Sequence, residues 1–416
     1  MEIKANNYYF KMFLIYLLSQ PVIDIFTAYF ILVLKLSITP GLILRNIGML
    51  LFIVYILFKE KKHITYLFTL AVFYFIHFIV NYFTKDFFSY YHEISYFSKY
   101  IYFITVLIVA TNLIQNINYN EIKVRIIRVL WIVSCIISIC IIFAWFTNTG
   151  IQSYGSEKIG QIGWFFSGTK ISAIMAILFP IALLYSIKKI DKSAINWIII
   201  ILNIIAMFIT GTKTAYMGII LGLIGGIFIC ILRYFYHNEK SIKKIILILL
   251  VLTLGVILYT PCSPVYTNIL IHQSWEDGQT PDLIFNGREI KVNSAQEDII
   301  NADILRKFLG VGFAGNYKDV FSIIAIERDF HEIFIYYGIV GFIIMLYYPS
   351  CFIYKILRYR IMNIKKLNID NTMLLASLFS ALGCSFIAGH VLFAPSVSIY
   401  LVCVMILLNK EMEEEI

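Results

Sequence analysis

The 416-residue chain is 60% hydrophobic and 14% charged, with a mean hydropathy of +0.82, far from the half-apolar, quarter-charged balance of soluble domains. Crossing a hydrocarbon core of roughly 30 Å as helix takes about 20 mainly apolar residues, so the length accommodates about twelve spans and one small polar region, which excludes a separate soluble catalytic domain. The net charge of +9 falls in short basic clusters between apolar runs, the pattern of topology determinants, and nucleic acid is set aside as a partner.

In chain order, Lys4 and Lys11 precede a hydrophobic run that continues past Pro21 without a small-residue cleavage motif, so a retained first helix is expected. Apolar runs bounded by charge or turn residues place spans near 9–35, 40–58, 64–83, 94–115, 124–147, 164–187, 194–210, 213–235 and 242–261. Three more follow near 330–356, 370–389 and 392–409. The chain thus divides into nine spans over 1–261, a large polar loop over 262–329, and three spans with a tail over 330–416. On one set of sides the short loops and helix ends hold 21 Lys and Arg, against seven on the other. Cytoplasmic loops hold the excess, so both termini are expected in the cytoplasm and the 262–329 loop outside. No internal repeat is visible, which argues against a transporter of duplicated halves. Six of the seven cysteines lie inside apolar segments, and only Cys262 sits near a water boundary, so no disulfide framework or metal site is implied.

The large loop carries signs of order. Between Asn286 and Phe308, Ile290, Ile300, Ile304 and Phe308 recur near helical spacing while Glu297, Asp298, Arg306 and Lys307 fall elsewhere. This predicts one amphipathic helix against the membrane surface. The glycines of LGVGFAGNY (309–317) close it, where positive backbone dihedrals are cheap.

Ionisable groups at the edges of spans cost free energy, so each has a functional reading beside a bland one. Arg45, Lys99, Lys170 and Lys213 all map to the external half. Snorkelling explains each of the first three separately; together they form a cationic funnel suited to an anionic lipid headgroup, of which a pyrophosphate is the densest. Lys213 follows Gly211 and Thr212 at a helix start, where free N–H groups and the macrodipole also favour an anion. Arg288 opens the loop helix after Asn286 and Gly287; it is either an ordinary loop arginine or a planar fork for phosphate oxygens. His331 sits among Glu327, Arg328, Asp329 and Glu332 at the mouth of the tenth span, as a simple hydrogen-bonding residue or as a proton acceptor held by carboxylates. His390 lies at the turn between the last two spans and could face the same cavity, though Gly389 and Pro395 explain the turn alone. His77 reads as a packed helix contact, and His63, His92, His237 and His272 show no pattern. HExxH, CxxC, GxxxxGK[ST] and GxSxG are absent, so zinc proteolysis, ATP hydrolysis and serine hydrolysis lack their residues. No metal or cofactor is called for.

Taken in order, QPVIDIFTA in the first span, GWFFSGTKISAIMAILFP (163–180), ITGTKTAYMGIILG (209–222), NGRE, LGVGFAGNY and FHEIFIYYGIVGF (330–342) resemble the O-antigen ligase and polymerase superfamily, above all its polymerases of capsular and exopolysaccharide repeat units. The resemblance implies an all-α membrane fold of the GT-C type in the bacterial plasma membrane. It also implies metal-independent, inverting glycosyl transfer from sugars carried on undecaprenyl pyrophosphate, with lipid-linked oligosaccharide as donor and acceptor. A chain-length regulator and a flippase are further expected partners. By motif, Lys213 and Arg288 would contact pyrophosphate, with Arg45 and Lys170 beside them, and His331 would deprotonate the acceptor hydroxyl. Glu327, Arg328, Asp329 and His390 are secondary candidates. Lys213 stands where ligases tend to have Arg, and Glu332 where they have Asn, which favours the polymerase branch. The alternatives are a ligase moving finished glycan to a lipid or protein, and a flippase for the same lipid-linked sugar. The flippase reading looks for mid-membrane charge, for which Asp24 is the candidate.

Overall fold

The structure, a computed structural model, describes residues 2–154, 158–188, 195–237, 242–275, 288–364 and 368–415. Asn286 and Gly287 of the NGRE motif lie outside these residues. The helices are α1 (Glu2–Leu32), α2 (Pro40–Lys59), α3 (Ile64–Thr84), α4 (Tyr90–Ile114), α5 (Tyr119–Phe146), α6 (Gly168–Lys188), α7 (Ile195–Ile209), α8 (Lys213–His237) and α9 (Ile242–Tyr259). Then come α10 (Pro264–Trp275), α11 (Arg288–Ile300), α12 (Ile304–Leu309), α13 (Asp329–Met362), α14 (Ile369–Ile387) and α15 (Pro395–Glu415). Among the described residues ten helices are long and apolar enough to cross a membrane, and two shorter apolar stretches, Ile195–Ile209 and Lys213–Phe228, stand where the seventh and eighth spans are expected. The protein is an all-α polytopic membrane protein.

Burial separates an inner set of helices from an outer one. The apolar windows of α15 and α6 are 94% and 89% buried inside the molecule, against 17% for α2, α3 and the helix containing α9. Since lipid is as apolar as leucine, the inner helices are held by close packing rather than by exclusion of water. Gly218 and Gly222, one turn apart on α8, show how: a Cβ at Gly218 would lie 2.5 Å from Ala176 of α6, and one at Gly222 would lie 2.6 Å from the Phe179 ring. At one end of the bundle, Asp370 of α14 binds Lys123 of α5 at 2.8 Å and Lys188 of α6 at 2.5 Å, and Arg360 of α13 binds Glu411 of α15 at 2.9 Å. The candidate site lies at the opposite end.

The large loop differs from expectation in two ways. It carries an additional helix, α10. The single amphipathic helix is two, α11 and α12, separated at 301–303 and restarted by Asp303, whose side chain accepts the Arg306 N–H at 2.8 Å. Val292, Ala295 and Ile299 face inward, while Ile290, Ile300, Ile304 and Phe308 are 74%, 66%, 75% and 49% exposed. The apolar stripe thus faces away from the bundle, the side that a helix lying against the membrane surface leaves to lipid.

The tenth span is likewise interrupted. Within α13, Gly338 adopts φ 66° and ψ −172°, so a short helix carrying His331 precedes the spanning segment. The break frees the Ile335 and Tyr336 carbonyls, which accept the Val311 and Gly312 N–H groups at 3.2 and 2.9 Å. As expected for LGVGFAGNY, Gly310, Gly312 and Gly315 have positive φ, and a Cβ at Gly310 would collide with the Tyr336 carbonyl oxygen.

A buried ion pair holds this glycine loop from the other side. Lys85 Nζ lies 2.6 Å from Glu93 Oε1, with both side chains almost fully buried. Lys85 also donates to the Phe313 carbonyl at 3.0 Å, and Glu93 Oε2 accepts the Phe313 N–H at 2.8 Å. Burial lowers the Lys85 ammonium below the usual lysine range, opposed by the Glu93 charge. His77 Nδ1 meets the Leu309 carbonyl at 2.7 Å, and Asn81 donates to the Gly310 carbonyl at 3.2 Å. His77 thus packs between helix and loop, as its sequence context indicates.

Candidate functional site

Lys213 is the first residue of α8. The turn before it is built for close backbone approach: Gly211 has φ +65° and a Cβ there would strike the Ile159 carbonyl. Asn268 of α10 fastens that turn, donating to the Gly211 and Ile159 carbonyls at 2.9 and 2.5 Å and accepting the Ile159 N–H at 2.7 Å. Thr212 accepts the Ala215 N–H at 3.3 Å and donates to Ser172 of α6 at 2.7 Å. The helix start, the loop helix and α6 therefore meet around Lys213.

Lys213 and Arg288 line one cavity of about 260 Å³. Its other walls include Tyr154, Thr169, Thr214 and Tyr216, together with Ile387 and Ala388. Two cations and several hydroxyls in a recess of this size suit a phosphoryl group or one sugar ring. Burial raises the Tyr154 phenol above its ordinary value while the Arg288 charge opposes it, so Tyr154 enters as a neutral donor.

Further basic groups gather around His390. His390, at the α14–α15 turn, is pushed down to about 3 by burial and by the charges of Lys170, Arg288, Lys99 and Lys291. It is a neutral imidazole in the middle of a cationic cluster. Among the described residues neither Lys99 nor Lys170 has a carboxylate within ion-pair distance, and Lys99 lies 5.2 Å from the Tyr96 ring centre. Arg45 is different from its expected role as an open cation. Its Nη2 binds Asp24 at 2.6 Å and its Nε binds Gln20 at 3.1 Å, so Asp24 cancels its charge and the two residues form an ion pair between α1 and α2. Arg45 remains within electrostatic range of Lys170.

The carboxylates around His331 do not hold it. Asp329 Oδ2 instead accepts from Ser385 at 2.7 Å and from the Val391 and Leu392 N–H groups at 3.0 and 2.9 Å, fixing the turn that bears His390. Glu332 accepts the Tyr96 hydroxyl and, at 2.9 Å, the Glu327 N–H. Residues one and two positions apart point to different faces of a helix, which is why neighbours in sequence are not neighbours in space. His331 is partly exposed, its Nδ1 is buried with no hydrogen-bond partner among the described residues, and its ring centre lies 6.0 Å from that of Phe386. Phe386 directly precedes Ile387 and Ala388 of the cavity wall, but by the same rule it faces another side of α14, and His331 is not among the residues lining the Lys213 cavity. Arg328 also packs against Phe386: its guanidinium lies 5.4 Å from the ring centre and 3.4 Å from Glu289.

The sequence reading named Lys213, Arg288, Lys99, Lys170 and His390 but passed over Lys291, Tyr154 and Asn268. Lys291 was within reach, since it lies one helical turn after Arg288 and shares its face. Tyr154 sits in an irregular loop and Asn268 on an unforeseen helix, and neither has a local signal.

The arrangement is a helical membrane bundle with a cation-lined recess at one end, which suits an anionic ligand. The family model described as "O-antigen ligase like membrane protein" matches residues 6–281 and 272–415, and the chain belongs to that family. Membership makes it a multi-pass membrane protein of the glycan ligase and polymerase class. No curated protein matches the chain.

Proposed function

We propose that the protein is a polysaccharide polymerase that joins oligosaccharide repeat units carried on undecaprenyl pyrophosphate, at the outer leaflet of the bacterial plasma membrane. The observation that carries this reading is the shared cavity of Lys213 and Arg288, with Lys99, Lys170 and Lys291 joining Arg288 within electrostatic range of His390. The distribution of Lys and Arg along the chain supports an external position for this end. The polymerase branch, rather than the ligase branch, is favoured by Lys213 and Glu332 at positions where the ligases tend to carry Arg and Asn.

In the proposed reaction a sugar hydroxyl of one lipid-linked unit attacks the anomeric carbon of the other. The new glycosidic C–O bond forms as the C–O bond to the diphosphate breaks, with inversion at that carbon. The hydroxyl proton passes to the His331 imidazole. The departing diphosphate takes the electron pair, and Lys213 and Arg288 stabilise its developing charge. Lys and Arg supply the positive charge that another enzyme could take from a metal ion.

The test is reconstitution with the cognate lipid-linked oligosaccharide and no other acceptor. Wild-type protein should give a ladder of longer lipid-linked products, and Arg288→Ala and His331→Ala should not. Normal ladders from both variants overturn the site assignment, whereas transfer of finished glycan only to an added lipid or protein assigns the ligase activity instead.

A further inference from the structure

The Glu327 carboxylate faces three basic side chains at once. Its Oε2 lies 3.4 Å from Arg288 Nε and 3.5 Å from Lys291 Nζ, and its Oε1 lies 4.0 Å from His390 Nε2. All three separations exceed the roughly 2.7–2.9 Å of a charge-assisted hydrogen bond. The carboxylate is therefore shared among these partners and locked to none.

The backbone that delivers it is unusual. Glu327 has φ +61°, a region that non-glycine residues seldom occupy unless their surroundings impose it. Here the surroundings do: Glu332 Oε1 accepts the Glu327 N–H at 2.9 Å, and the Glu327 carbonyl lies so close to Gly389 that a Cβ there would come within 2.5 Å. Gly389 and His390 themselves have φ of +63° and +59°, and Asp329 clamps the residues that follow. Two strained turns are thus pinned together so that one carboxylate meets one imidazole, one guanidinium and one ammonium. Lys99 and Lys170 add positive charge within electrostatic range of the same imidazole.

Arg288 belongs to both neighbourhoods, lining the Lys213 cavity and facing Glu327. We propose that Arg288, Lys291 and His390 form a second phosphoryl subsite beside the Lys213 cavity, in which the Glu327 carboxylate is the resident counter-ion and is displaced when a diphosphate binds. The inference rests on the diphosphate reading of the site given above. One phosphoryl group then lies between Lys213 and Arg288, and its neighbour lies against Arg288, Lys291 and His390. Glu327 keeps the cations apart from their repulsion until the substrate replaces it, and it disfavours weaker anions that cannot.

The experiment measures binding of inorganic pyrophosphate to the full-length detergent-solubilised protein by calorimetry. Glu327→Gln keeps the shape and removes the competing charge, so it should bind about tenfold more tightly than wild type. Lys291→Gln should bind about tenfold more weakly, in the wild-type background and in the Glu327→Gln background alike. A residue that merely propped Arg288 in place would give the opposite sign for Glu327→Gln. Equal or weaker binding by Glu327→Gln overturns the subsite. Should that variant not fold, unchanged binding by Lys291→Gln overturns it. Binding to wild type that Lys213→Ala and Arg288→Ala abolish, but that Glu327→Gln leaves unchanged, sinks the subsite alone. Absence of binding in every form sinks the diphosphate reading with it.

Discussion

Lys213 and Arg288 line the same recess, one as the first residue of α8 and the other as the first described residue of the loop helix α11. Two separate elements thus bring side-chain charge to one cavity, where an anion would sit.

In the proposed reaction the two cations are partners in one task. Replacing either with alanine should lower kcat/KM about 10²- to 10³-fold, the range for losing one preorganised transition-state donor. The double variant should fall short of the product of the two single losses, because both act on one leaving group. Lys213→Arg keeps the charge and should stay within about tenfold of wild type. Initial rates on lipid-linked repeat units decide the matter, and fully multiplicative losses would separate the two residues into different steps.

His331 is proposed to act only on the proton in flight. His331→Ala should therefore reduce kcat about 10²- to 10⁴-fold while leaving the donor KM within a few-fold of wild type. A large rise in KM with kcat preserved would make it a binding residue instead.

His390 provides a pH signature. Its folded-state value of about 3 lies well below the roughly 6.5 of an unfolded histidine. Between those values the unfolded chain holds a proton that the folded one does not, so this residue makes stability fall as pH drops from about 6.5 towards 3 and contributes no slope above. Thermal melts taken from pH 8 down to pH 4.5 should show a shallower decline for His390→Gln than for wild type. Identical slopes would remove His390 from the cationic cluster.

Gly338→Ala places a methyl group against the Gly310 N–H and the Phe308 carbonyl in a backbone region open almost only to glycine. It should cost at least about 2 kcal/mol of stability and abolish activity by dislodging the His331 segment. Gly255→Ala is the control, because a Cβ there meets nothing within 4 Å, and it should change stability by no more than about 0.5 kcal/mol. Equal melting temperatures for the two variants would contradict the break in α13.

Lys85→Met strands Glu93 as a buried uncompensated charge and should cost about 3–5 kcal/mol. Lys85→Met combined with Glu93→Gln should recover part of this, since glutamine can still accept the Phe313 N–H through its carbonyl oxygen. Should the double variant melt lower than the single one, the pair is not acting as a pair.

The span map was legible because crossing a bilayer imposes length and apolarity directly on sequence, and the glycines of LGVGFAGNY announced their positive φ because few other residues adopt it. Lys213 was legible for the same local reason, sitting after a glycine at a helix start. What stayed hidden depends on tertiary partners. The period of Ile290, Ile300, Ile304 and Phe308 gives a stripe but not the face that packs inward, and nothing local shows Asp303 dividing α11 from α12. Arg45 reads as an open cation until Asp24, on another helix, comes within 2.6 Å. The carboxylates beside His331 looked like its keepers, yet the helix turns them towards Tyr96, Ser385 and the Glu327 and Val391 backbones.

The tight seating of Gly218 and Gly222 on α6 also fixes which parts of the site are free to shift. It joins α8, with Lys213 at its head, to α6, with Lys170 in its first turn, as one closely packed slab. Arg288 and Lys291 are tied instead to Glu327, through ion pairs of 3.4 and 3.5 Å. A displacement of α6 would therefore carry Lys213 with it, whereas a change at Glu327 would be felt first by Arg288 and Lys291.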